Sequence, residues 1–460
     1  MQHSRLQQTV STGLMISCVL WAGLAASVAW MFAFPSLGRD IGVSLSIGML
    51  TLFVGAIVSS FSLRYMRSDQ RSTRFFLMLG LLVASVLITV FSANLLILAV
   101  AWCTSSVLLA KLVGHCADWD EALAAKRRTQ LAFAIGDVSL VAALSILGWQ
   151  AGTLQLEVVL STVSEIPAPL ATTAALLLVI AAAARCALPP FSGWLLSSMS
   201  APTPVSALMH AGLVNAGGFL LIRFAPLLEA APSARIVTIA IGLFAAIYGL
   251  GIMMVRTDIK RTLAGSTVSQ MGFMIMSCGL GAYAAALWHI VAHGLFKAWL
   301  FLGSGSAIGM KSESQRGSLS NAATAAIAIG TLCIAVSYLV FGNGSASLVP
   351  LLLGMATAMA TMVACLGSVS SLRTKLSFLL LIAALVAFHT VGLSIAHSAV
   401  GADAQALLPN WVLLALLATF LGCWVWQQHR LLSGAGLPAR LFVHLINAGA
   451  LKATRKGEAA

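Results

Sequence analysis

His289, His293 and Lys297 stand four residues apart in an otherwise apolar run, 283–304. On a helix this spacing puts all three on one face, about 6 Å apart per step along the axis. An ionisable side chain at the centre of a bilayer costs ~2.5–3.5 kcal/mol on insertion scales unless it is hydrated or paired. Imidazole accepts and donates a proton near neutral pH. Two imidazoles followed by an ammonium therefore read as a row of proton stations. The rival readings are packing histidines and a His-x3-His metal pair. For the metal pair, no carboxylate or thiol stands nearby in sequence to complete a shell.

Arg185 and His210 form a second group. Arg185 precedes Pro189 and Pro190 inside a long apolar stretch, and His210 follows Pro202 and Pro204 in the next one. Two consecutive prolines break a helix, because each lacks the N–H donor and crowds the preceding turn. Broken helices at membrane depth line sites and wet cavities, where their freed backbone groups find partners. The alternative is a hairpin end at Leu188 followed by a short interfacial helix. An arginine releases its proton poorly and suits a counter-ion better than a carrier. Asp137, near the start of the fifth expected span, reads either as a carboxylate of the pathway or as a helix-end residue paired with a base on the adjoining face. Asp258, Lys260 and Arg261 read as a loop that sets topology. His389 and His397 read as isolated, satisfied histidines. The chain has no nucleotide-binding glycine loop, nucleophile elbow or haem attachment motif.

The elements that must position these groups follow from composition. Sixty per cent of the 460 residues are hydrophobic and 8% are charged, against about a quarter charged in a soluble domain. Runs of about 20 apolar residues, enough to cross ~30 Å of hydrocarbon, recur throughout. Barrel-type alternation is absent, so the expected class is all-α integral membrane protein. Fourteen spans are expected at 11–34, 41–62, 75–91, 94–113, 129–149, 170–200, 202–223, 236–255, 263–280, 283–304, 320–341, 347–370, 376–397 and 409–427. Residues 1–430 form the membrane domain, with its core at about 75–370, and 431–460 form a basic, amphipathic tail. Little room is left for a soluble catalytic domain, and the chain is not expected to be an enzyme.

The loops agree with this count. Arg64, Arg67, Arg71 and Arg74 fall on one side, with Lys126, Arg127, Arg128, Arg256, Lys260, Arg261, Lys311, Arg316, Arg373, Lys375 and the tail. The loops between them, 150–168 and 398–408, hold no Lys or Arg. Positive charge in phase with fourteen spans predicts both termini in the cytoplasm and accounts for the net charge of +13 without nucleic acid. The first run is long and lacks a clear cleavage site, so it reads as a retained span. Eight single cysteines indicate neither a disulfide framework nor a metal site.

The segments APTPVSALMHAGLVNAGGFLLIR (201–223) and RTDIKRTLAGSTVSQMGFMIMSCGLGAYAAALWHIVAHGLFKAWLFLGSGSAIG (256–309) resemble the antiporter-like proton-conducting subunits of respiratory complex I, Mrp antiporters and membrane hydrogenases. Within that family, residues 278–306 and 108–147 look most like the DabB type, the membrane half of an inorganic-carbon accumulation system. The resemblance implies a cation-conducting subunit in the bacterial inner (cytoplasmic) membrane. Its partner would be a DabA-like cytoplasmic zinc protein resembling a β-carbonic anhydrase. Ion entry would drive hydration of CO2 to bicarbonate, with zinc in the partner and no cofactor in this chain. His210, His289, His293 and Lys297 match the family pattern, and Arg185 stands where the family has a broken-helix lysine. Two departures are visible. Cys103 follows Trp102 where the family has Glu, and 320–370 shows no second broken-helix motif. The rival readings are a respiratory or Mrp-type subunit and a non-conducting membrane anchor.

Overall fold

The computed structural model describes residues 2–33, 41–304, 372–401, 404, 407–433 and 437–450. The expected spans at 320–341 and 347–370 lie outside the described residues, as does the tail beyond 450. Among the described residues the regular elements are all helices, apart from one isolated bridge between Asn94 and Gln155. That is what a lipid environment demands, since a helix satisfies its own N–H and C=O groups.

The first five helices are α1 (Gln2–Ala33), α2 (Gly42–Tyr65), α3 (Ser72–Phe91), α4 (Leu95–Val113) and α5 (Asp120–Ala151). The close spacing of α3 and α4 is resolved by Asn94, whose side chain caps α4 by accepting from the N–H groups of Leu96 and Ile97. The helix α5 starts nine residues before the expected span. Asp137 therefore lies near its middle and not at its end. After the short α6 (Leu156–Ser161), α7 (Ala168–Arg185) crosses and stops at Arg185.

The break after Arg185 is the expected one, and a short helix follows it. The chain turns through Ala187, whose φ of 55° is rare for a residue with a Cβ, and through Pro189 and Pro190. It then makes a five-residue α8 (Gly193–Ser197), which is buried at Trp194 and Leu195 and packs through Leu196 against Val255, Ala264 and Ala448 beside the basic loops. The next expected span, 202–223, is also interrupted. It consists of α9 (Thr203–Ala211) and α10 (Ala216–Arg223), separated by a 3-10 turn at Leu213–Asn215. Gly212 ends α9 with ψ of −70°. Nothing in the hydropathy of this run marks the break.

After α11 (Ala225–Glu229), α12 (Pro232–Val255) and α13 (Ile259–Leu280) form an antiparallel pair. Small residues let their backbones meet, and a Cβ on Gly272 would fall 2.6 Å from the Gly242 carbonyl oxygen. Then come α14 (Tyr283–Leu302), α15 (Leu372–Val400), α16 (Asn410–Ser433) and α17 (Ala439–Ile446). Nine helical segments among the described residues are long and apolar enough to cross a membrane, the interrupted 203–223 counted as one. One continuous apolar core joins α2–α5, α7, α9, α10, α13 and α14, and the broken segments run through it.

Candidate proton pathway

Arg185 is 2% exposed, at the last turn of α7. Its guanidinium donates to Ser105 Oγ at 3.1 Å, Ser106 Oγ at 2.8 Å and the Trp102 carbonyl oxygen at 3.2 Å, all on α4. The rings of Trp102 and Phe133 flank it at 4.2 and 4.7 Å. Asp137 Oδ1 lies 3.8 Å away and accepts from Ser106 Oγ at 2.8 Å. Ser106 thus bridges cation and carboxylate. Asp137 pairs with a buried arginine in the middle of the bundle, which corrects the helix-end reading. Cys103, on α4, lies within electrostatic range of both charges.

Freed backbone groups at the break have named partners. The Trp194 indole N–H donates to the Ala184 carbonyl oxygen at 2.9 Å, and the Cys186 thiol to that of Val214 at 3.0 Å. The second contact ties the two interruptions together. In the second interruption, Asn215 Nδ2 donates to the Ala211 carbonyl oxygen at 2.8 Å.

The row on α14 is one face, as its spacing requires. The rings of His289 and His293 stack at 5.7 Å with an interplanar angle of 15°. His293 is 6% exposed and Lys297 1%, while His289 is partly buried. Lys297 Nζ donates to the Leu263 carbonyl oxygen at 3.1 Å. Gly294 lets α14 close on α9, since a Cβ there would fall 2.7 Å from the Ala211 carbonyl oxygen. That approach brings in His210, which is fully buried, stacked on Phe301 at 4.1 Å and bonded through Nδ1 to Thr267 Oγ1 at 3.0 Å. His293 lies within electrostatic range of His289, Lys297 and His210, and His210 within range of Lys297 and Lys260. Both ring nitrogens of His293, and Nε2 of His210 and of His289, have no hydrogen-bond partner among the described residues. Buried imidazole nitrogens of this kind are satisfied by water.

Sequence reasoning missed Ser105, Ser106, Thr267 and Asn215, because hydroxyls and amides in apolar runs carry no spacing signal. Lys260, read only as topogenic, lies within electrostatic range of His210. His389 is not isolated, since the Trp288 indole N–H donates to its Nδ1 at 2.8 Å.

Residues 92–372 match the family described as NADH:quinone oxidoreductase/Mrp antiporter, transmembrane. The chain belongs to that family. In this antiporter family it is 38% identical, over 63% of this chain and 53% of the relative, to the "Probable inorganic carbon transporter subunit DabB1" of Halothiobacillus neapolitanus. It is 39% identical to a Bacillus subtilis protein of the name DabB, over 58% of this chain and 54% of the relative. Identity to NADH-quinone oxidoreductase subunit L of Mycobacterium tuberculosis is 35%, over 61% of this chain and 46% of that protein. The chain spans about half the length of these curated relatives. A chain of the Mrp complex from Dietzia sp. DQ12-45-1b shares the fold, with a TM-score of 0.65, 23% identity, 96% of this chain covered and 58% of that one.

Proposed function

We propose that the chain is the proton-conducting membrane subunit of an inorganic-carbon accumulation complex in the bacterial inner membrane. The observation that carries conduction is the buried alignment of His289, His293, Lys297 and His210, with ring nitrogens left for water. Charge that costs this much in lipid is kept where it moves ions. The Arg185–Ser106–Asp137 cluster supplies the second station, with Asp137 as the proton-releasing member. The similarity to DabB proteins supports the inorganic-carbon assignment. On this reading a cytoplasmic zinc protein docks on the basic face, hydrates CO2 and draws its driving force from ion flux through this chain. Both termini lie on that face.

The test is growth in air of cells lacking carbonic anhydrase, expressing this chain with the protein encoded beside it. Rescue that needs both chains and disappears with an uncoupler is the expected outcome. His293→Ala is expected to reduce rescue at least tenfold while the complex still assembles. Full activity of an intact His293→Ala complex would remove the relay, and no rescue by a well-expressed pair would favour a respiratory or antiporter assembly. That second reading has its own support in the similarity to subunit L.

A further inference from the structure

Two hydrogen bonds meet at Thr267 Oγ1, between α13 and α9. Thr267 is buried and bonds back to the Leu263 carbonyl oxygen, one turn earlier on α13, at 3.0 Å. His210 Nδ1 lies 3.0 Å from the same hydroxyl oxygen. A threonine hydroxyl has one proton and two lone pairs, and a neutral imidazole carries its one proton on either nitrogen. The two bonds coexist in one arrangement. The hydroxyl gives its proton to the Leu263 carbonyl, as threonines inside helices commonly do, and the Nδ1–H of His210 donates to the hydroxyl oxygen.

The opposite arrangement forfeits a bond. If the hydroxyl donated to Nδ1, it would leave the Leu263 carbonyl, and the imidazole proton would move to Nε2. That nitrogen has no hydrogen-bond partner among the described residues, and buried N–H groups without an acceptor are rarer than under-used acceptors. Two contacts hold the ring in place. Phe301 stacks on it at 4.1 Å with 13° between the planes, and Lys297, one turn before Phe301 on α14, donates to the same Leu263 carbonyl at 3.1 Å. A half-turn of the ring would keep the stack but put a carbon where Nδ1 stands and lose Thr267.

We propose that Thr267 is a positioning residue that fixes His210 as the Nδ1–H tautomer, so that Nε2 alone takes up and returns a proton. An incoming proton bonds to Nε2 and gives an imidazolium whose Nδ1–H stays on Thr267. The ring becomes neutral again when the same Nε2–H bond breaks and the proton leaves to a water. Passage through the ring, in at one nitrogen and out at the other, would need the Thr267 hydroxyl to hand the proton on. Its acceptor is an amide carbonyl, too weak a base to carry it. His293, with both nitrogens free of partners among the described residues, has no such restriction. His210 is therefore a side station of the row and His293 a through station. The side-station role rests on the conduction proposed above, but the tautomer does not.

The test is nitrogen NMR of isotope-labelled histidines in the full chain co-purified with its partner, in lipid bilayers at alkaline pH, where imidazole is neutral. Proton flux into proteoliposomes is measured beside it. The His210 signals are those lost in His210→Gln, or, if that variant does not assemble, those in through-space contact with the Phe301 ring. The proton is expected on Nδ1 in the parent and in Thr267→Ser, and on Nε2 in Thr267→Val. Flux is expected to fall about fivefold in Thr267→Val, the worth of roughly one hydrogen bond, and to return in Thr267→Ser. A parent spectrum with the proton on Nε2 overturns the proposal, and so does a Thr267→Val spectrum identical to the parent's. A tautomer that moves without loss of flux overturns the side-station role. If Thr267→Val does not assemble, the parent spectrum decides alone. A parent with Nδ1–H and no flux would remove the conduction reading and leave the tautomer standing.

Discussion

Arg185 and Asp137 show how a buried charge is kept. Removing one member of such a pair leaves the other uncompensated, which costs about 3–5 kcal/mol for a fully buried pair. Asp137 is 18% exposed at its side chain, so partial solvent screening lowers this to about 1–3 kcal/mol for Asp137→Asn. The expected result is a lower thermal midpoint in detergent, with Asp137→Glu recovering part of the loss. An unchanged midpoint for Asp137→Asn would mean that the serines and the Trp102 carbonyl hold Arg185 without help from the carboxylate. The histidine row is a different case. It was legible in the sequence because four-residue spacing is a property of one helix. The Arg185–Asp137 pair was not, because its members are 48 positions apart on helices that only the bundle brings together.

At the scale of elements, the interruptions are built from satisfied backbone. Trp194 reaches from the buried α8 to the Ala184 carbonyl at the end of α7, which also accepts from the Ala187 N–H at 3.3 Å. Trp194→Phe keeps most of the ring and removes that donor. It is expected to cost about 0.5–1.5 kcal/mol, the net worth of one hydrogen bond, since the Ala187 N–H still partners that carbonyl, read as denaturation at lower temperature or denaturant concentration. A stability equal to the parent would show that water takes the place of the indole N–H. The first interruption was predicted because proline has a local covalent signature. The second was not, because Gly212–Asn215 is apolar enough to continue a helix. It stops there because Asn215 turns back to cap Ala211 and α14 presses close at Gly294.

At the scale of the molecule, the basic loops define one face and the Lys/Arg-poor loops the other. In cells expressing the complex, single cysteines at Asp118, in the α4–α5 loop, and Glu157, in α6, should be labelled by an impermeant reagent from opposite sides of the membrane. Labelling from the same side would break the alternation of α2 to α5 on which the orientation rests. The strap of residues 437–450 fits the basic face. Arg128 and Arg256 donate to the Ala450 and Ala448 carbonyl oxygens, and Leu445 packs against α8, α12 and α13. The tail expected to be amphipathic and basic therefore begins as a helix seated on the bundle, with Leu441, Phe442 and Val443 left exposed.

By itself the sequence determined the class, most span positions, the likeness to the antiporter family and the face shared by His289, His293 and Lys297. Each follows from local quantities: hydropathy over a window, charge in a loop, periodicity along one helix. Only the tertiary structure decided that Asp137 answers Arg185, that His210 joins the row on α14, that α9 and α10 are separate, and that Arg223 reaches the carbonyls at the end of α3. Those facts depend on which helices touch and at what height. Packing sets that register through small residues and close approaches, which leave no mark on the hydropathy of any single segment.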